Sequence, residues 1–187
     1  MKKLFYAYLF IFININFTIN NTAQLCITPT FVGYIILLLA LRELESESEE
    51  FPRLRPFAMG MAVYTGICWL LDLFGVGNTS TGGTVIILIL SLISTVISLY
   101  ILHCVIEGIS DMEYNYGVDL GGDKLRSVFK VMVVAEIVAF VLLIIPALSV
   151  VAMLVGVVAT IVLLVRLHAA SKGYEDLEWK KWQDRQN

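Results

Sequence analysis

Hydrophobic and polar positions along the chain change period as they go. Four long apolar runs, 57–76, 84–106, 129–148 and 149–167, come close to or reach the roughly 20 residues a helix needs to cross a hydrocarbon core. Two shorter runs, 4–13 and 31–41, precede them, each about half a span. Between these two lies IFININFTINNT, residues 11–22, where Ile13, Ile15, Phe17 and Ile19 alternate with Asn14, Asn16, Thr18 and Asn20. That is the period of a strand with one wet face. On a helix Asn14 and Asn16 would point about 200° apart, leaving no single face for the polar groups. An isolated strand cannot cross lipid either, because its backbone groups would lack partners. The pattern therefore predicts a short helix ending near Ile13, an extended or hairpin segment, and a second short helix restarted by Pro29 near its first turn.

The expected fold is an all-α polytopic membrane bundle of four long transmembrane helices plus two short N-terminal segments, in a single domain. Residues 1–41 would form the short-helix hairpin with an irregular outer segment at 14–30. Residues 42–56 would be an acidic cytoplasmic loop, 57–167 the four-helix core, and 168–187 an amphipathic cytoplasmic tail. The glutamates of RELESESEE are expected to prolong the second short helix as a solvated face until Pro52 ends it. Tyr174, Trp179 and Trp182 with their lysines suit a headgroup region. Small residues four apart, at Ala62/Gly66, Ala135/Ala139 and Ala152/Gly156, would permit close helix approach, the last two pairs along the seam of an antiparallel pair turning at 145–150.

Composition agrees with the bilayer: 58% of the 187 residues are hydrophobic and only 16% charged, against about 25% charged in soluble domains. Mean hydropathy is +0.82. A formal charge of -3 points away from nucleic acid as a partner. Charge also sets orientation. With six segments and both termini cytoplasmic, all 13 basic residues fall in 1–3, 42–56, 107–130 and 166–187, and the opposite loops hold none. The expected location is the plasma membrane. Residues 1–23 have the outline of a cleaved leader but lack an A-x-A site, so the uncleaved reading is preferred. Cys26, Cys68 and Cys104 form no CxxC and read as small buried hydrophobes.

Ionisable groups inside a membrane are costly and draw attention to function. Glu136, eight residues into its apolar run, would lie roughly 12 Å deep. Unpaired there, it is expected to be protonated, because desolvation disfavours the charged form, and a neutral acid hydrogen-bonded to hydroxyls is preferred over a proton- or cation-coupled site. Ser91, Ser94, Thr95 and Ser98 recur at helical spacing and would form a hydroxyl stripe at similar depth. Asn14, Asn16 and Asp72 make a candidate polar segment on the outer side. His103 and Glu107, i and i+4, make a candidate pair near the inner surface. Two such ligands do not make a zinc site, and Asp111, Glu113 and Asn115 do not make a calcium loop, because Tyr116 replaces the turn glycine and Gly122 the terminal glutamate. No catalytic motif is present and no cofactor or metal is expected.

These features lead to two expectations. The first is a non-enzymatic accessory, regulatory or immunity-type component acting through helix contacts, with the lipid bilayer, a membrane-protein partner or a second copy as its partners. The second is a small proton- or cation-coupled transporter, or the substrate-binding membrane subunit of one, with a small molecule or ion as substrate. A closed polar cavity beside Glu136 would favour the second, a packed interior the first.

Overall fold

A computed structural model describes the backbone of residues 1–12, 16–19, 23–26, 29–74, 81–141 and 146–184, and the side chains within these except at 16–19, 23–26, 72, 81–88, 139–141, 146–150, 152–153, 181 and 184. Six helices run in chain order: α1 (Lys2–Phe12), α2 (Thr30–Glu43), α3 (Glu50–Leu73), α4 (Thr81–Tyr116), α5 (Gly122–Val141) and α6 (Pro146–Asp184). Between α1 and α2 the strands β1 (Asn16–Ile19) and β2 (Ala23–Cys26) pair antiparallel, Asn16 opposite Cys26 and Ile19 opposite Ala23. Pairing supplies the backbone partners that a lone strand lacks. Which way the alternating side chains point lies outside the described residues.

Each helix packs against its neighbours in sequence, and α6 returns to α1, so the six form a ring. Specific contacts show why. A methyl group built on Gly33 of α2 would lie 2.7 Å from Ile11 and 2.9 Å from the Ala7 carbonyl, so only glycine lets α1 and α2 approach this closely. Phe31 meets Trp69 edge-on between α2 and α3, and Phe57 meets Tyr100 edge-on between α3 and α4. The Phe51 ring sits directly over Gly108 of α4, leaving no room for a side chain there. Phe5 of α1 packs on His168 of α6, with ring centroids 4.8 Å apart.

Three helical stretches, Glu50–Leu71, Ile89–Tyr116 and Leu154–Lys180, are long and apolar enough to cross a membrane among the described residues. Of the expected fourth, at 129–148, residues 142–145 lie outside the described residues. α5 ends at Val141 and carries Asp123, Lys124, Arg126, Lys130 and Glu136, while α6 starts at Pro146. Proline suits a first helical position because its missing N–H has no intrahelical acceptor there. The same physics corrects the acidic loop. α2 stops at Glu43, and Pro52 lies in the first turn of α3 rather than ending a helix. Leu44–Glu49 carry the chain between them, with the Ser48 hydroxyl accepting the Glu50 N–H.

α4 likewise runs on through residues 107–116, so Asp111, Glu113 and Asn115 are helical. Glu113 then caps α5, its carboxylate accepting the N–H groups of Leu120, Gly121 and Gly122 at 2.5–3.0 Å. Gly117 and Gly121 take φ of +64° and +86°, which only glycine adopts at little cost. Of the expected α5–α6 seam, Ala135 is buried and nothing approaches the Cβ position of Gly156, while the side chains of Ala139 and Ala152 lie outside the described residues; the described buried stripe of α6 runs through Ala159, Leu163, Leu167, Ala170 and Tyr174.

One end of the ring, here the loop end, carries the turns at 44–49 and 117–121, and the other carries the strand pair. The buried core lies toward the loop end: Leu37, Leu41, Phe51, Leu54, Ala58, Val105 and Ile109 are wholly inaccessible. Apolar side chains facing outward, such as Met59, Val96, Leu154 and Val165, are about 60% exposed, as a lipid-facing surface requires.

Candidate functional site

Above that core, toward the strand pair, the ring leaves a partly open cavity of about 280 Å³ lined by five of the six helices. Glu136 of α5 lines it, together with Ser94, Thr95 and Ser98 of α4. The sequence had placed these four at similar depth, and the ring brings them to one space. Tyr8 of α1, Thr30 and Tyr34 of α2, and Thr65 of α3 add further hydroxyls. Phe12, Met61 and Met132 supply apolar wall.

Hydrogen bonding within the lining is uneven. Thr65 Oγ1 donates to the Met61 carbonyl at 2.6 Å, and Ser94 Oγ to the Ser91 carbonyl at 2.9 Å. Each hydroxyl thereby spends its one proton on its own helix, in the back-bonded geometry common for these residues. Tyr34 Oη and Ser98 Oγ share a bond of 2.7 Å across the ring. Tyr8 is different: its side chain is 3% exposed, and its hydroxyl has no partner among the described residues. A buried hydroxyl left alone costs on the order of 1–3 kcal/mol, and this oxygen is itself closed off from the cavity.

The pair expected near the inner surface is built differently. His103 Nδ1 lies 3.8 Å from Glu107 Oε1, but Glu107 is held chiefly by Arg126. The guanidinium donates from Nε at 3.1 Å and from a terminal nitrogen at 2.6 Å, one bond to each carboxylate oxygen. These bonds raise Arg126 above its ordinary value and keep it charged. The His103 ring stacks on Phe129, with centroids 5.5 Å apart. Glu107 thus ties α4 to α5. Arg126 escaped the sequence reading because it stands 19 residues away, beyond any helical spacing.

Among the outer-side candidates, Asn14 lies outside the described residues, and so do the side chains of Asn16 and Asp72. At the loop end Glu47, expected to be solvated, accepts the hydroxyls of Tyr116 and Tyr174, the latter at 3.1 Å. Tyr174, expected among headgroups, is buried there instead. Ser48 donates to Asp111 at 2.6 Å. The glutamates on either side pair with Lys3, Arg55 and Arg53. Tyr8, Thr30, Tyr34 and Thr65 are hydroxyl-bearing cavity residues that the pattern of the sequence did not single out. The one available signal was a tyrosine within each short apolar run.

Among the described residues no three His, Cys, Asp or Glu side chains come together as a metal site. Comparison with family models, curated proteins and solved structures returns no match to the chain.

Proposed function

We propose that this is a small multi-pass membrane protein that receives a small solute at the centre of its helix ring, as a transporter or as the substrate-binding membrane subunit of one. The observation that carries the reading is the cavity itself: an ionisable residue, a hydroxyl stripe and an unpartnered tyrosine line one space rather than facing lipid separately. Polar residues inside a membrane commonly mark substrate or ion pathways. In this reading the protein holds and passes on a solute and performs no covalent step.

Orientation follows from charge. The loop end, with the basic residues of 1–3, 42–56, 107–130 and 166–187, faces the cytoplasm across the plasma membrane, and the strand pair faces outward. With α1 and α2 counted as short segments, the chain enters the membrane region six times. A cysteine at Thr79 should react with an impermeant thiol reagent applied outside, and one at the exposed Ser46 only after the membrane is opened. The reverse pattern would invert the topology.

The accessory reading retains one favourable observation. Trp179 and Trp182 stack at 5.2 Å near the end of α6, both largely exposed, where a partner or a lipid surface could meet them. Solvent access to the cavity separates the two readings. In a background without Cys26, Cys68 and Cys104, Thr95→Cys should be modified by neutral methyl methanethiosulfonate, whereas Val105→Cys in the packed core should resist. Equal inertness at both positions would return the protein to the accessory reading.

A further inference from the structure

The polar lining of the cavity is one-sided. Among the described lining residues Glu136 is the one carboxylic acid, and none is a lysine, arginine or histidine. The hydroxyl protons of Thr65 and Ser94 are committed to backbone carbonyls, so these two side chains present oxygen lone pairs to anything in the cavity. Tyr34 and Ser98 consume one of their two protons on each other. The described wall therefore offers acceptor oxygens at Glu136, Thr65 and Ser94 and sets no basic side chain beside them.

Size narrows the ligand. A bare metal ion needs several oxygens closing to about 2.0–2.6 Å around it. The cavity, at about 280 Å³, is far wider than an ion and offers one carboxylate. It lies just below the roughly 300–1,000 Å³ of ordinary small-molecule pockets. Tyr8, Phe12 and Tyr34 bring aromatic rings, and Met61 and Met132 bring polarizable sulfur. Aromatic faces attract cations as well as apolar groups.

The geometry points to a small organic cation as the occupant: an ammonium or amidinium head paired with Glu136, its N–H groups donating to the hydroxyl oxygens, and a compact apolar body against the aromatic and methionine wall. The inference rests on the solute-binding reading above and gives that solute a charge and a class. A hard metal ion, an anion or a neutral solute fits this lining less well.

The test uses three methanethiosulfonate reagents on Thr95→Cys in the background without the native cysteines, with rates divided by those for a free thiol in water. The probes are the 2-aminoethyl (cationic), methyl (neutral) and 2-sulfonatoethyl (anionic) reagents. We expect the cationic reagent to exceed the anionic one by at least about tenfold, the ratio that about 1.4 kcal/mol of charge preference produces. Glu136→Gln should bring that ratio down to about threefold or less, while the neutral reagent still reacts. Equal normalised rates with Glu136 intact would overturn the cation assignment and leave the cavity reading standing. No reaction with any of the three would remove the cavity reading itself. If Glu136→Gln fails to elute as a monodisperse species, the same ratio at Ser98→Cys with Glu136 intact decides the matter, since a cation-selective cavity must show it at both positions.

Discussion

Toward the loop end, α4 buries Ile101, Val105, Ile106, Ile109 and Met112 almost completely, whereas nearer the strand pair the same helix leaves Ile89, Leu92, Ile93 and Val96 about half exposed. α6 repeats the contrast, with Leu163, Leu167 and Ala170 buried but Leu154, Val157 and Val158 open. One half of the ring is thus a solid core and the other a wall around a cavity. Lipid tails are as apolar as leucine, so helices in a bilayer gain little from hiding apolar surface and hold together through interlocking shape and polar contacts. The loop end has both: Phe51 over Gly108, and Glu47, Glu107, Glu113 and Asp111 tying turns and helices together. The other half places serines and threonines where core residues would otherwise close the space.

The comparison can be broken first at the loop end. Phe51→Ala should lower unfolding stability in detergent by about 3–5 kcal/mol, measured by denaturant titration, because a fully buried ring leaves a cavity behind. A loss below about 1 kcal/mol would show that the core does not depend on this contact. Glu47→Ala should cost about 1–3 kcal/mol by the same measurement, since two tyrosine hydroxyls at the base of the ring lose their acceptor. Tyr116→Phe in the Glu47→Ala background should then cost little more, and a fully additive loss would separate the two groups.

A matched pair of substitutions sharpens the contrast between the halves. Ala58→Leu adds bulk to the packed half and should destabilise by about 1–3 kcal/mol through overpacking. Thr95→Leu adds bulk beside the cavity and should change stability by less than about 1 kcal/mol, because empty space is there to receive it. Equal costs at the two positions would mean that the cavity wall is as tightly packed as the core.

Much of the fold was legible because each feature has a local cause. The alternation in IFININFTINNT has only one backbone period that fits it, and β1 occupies its second half. Asp123 reads as a helix-start acid and lies in the first turn of α5. Helix limits at proline were less legible, since Pro52 and Pro146 can end one helix or begin another, and the choice depends on what precedes them. Of the site, Glu136 and the α4 hydroxyls stood out because polar residues in apolar runs are rare. Tyr8, Tyr34 and Thr65 did not, because tyrosine and threonine are ordinary in such runs until a neighbouring helix faces them. Glu47 looked like one more acid in an acidic loop.

Composition and periodicity alone determined that this chain carries segments apolar enough to cross a bilayer, that these segments are helical, and which residue types are out of place in them. These are one-dimensional properties: the cost of burying charge and the repeat of a helix act on each segment separately. Only the tertiary structure decided that the six helices close into a ring, that Glu47 links two tyrosines at its base, and that Glu136 shares a cavity with hydroxyls from four helices. Those outcomes depend on which faces meet. That is settled by close approaches such as Gly33 on α1 and Phe51 on Gly108, between residues from 22 to 57 positions apart, whose fit no local pattern records.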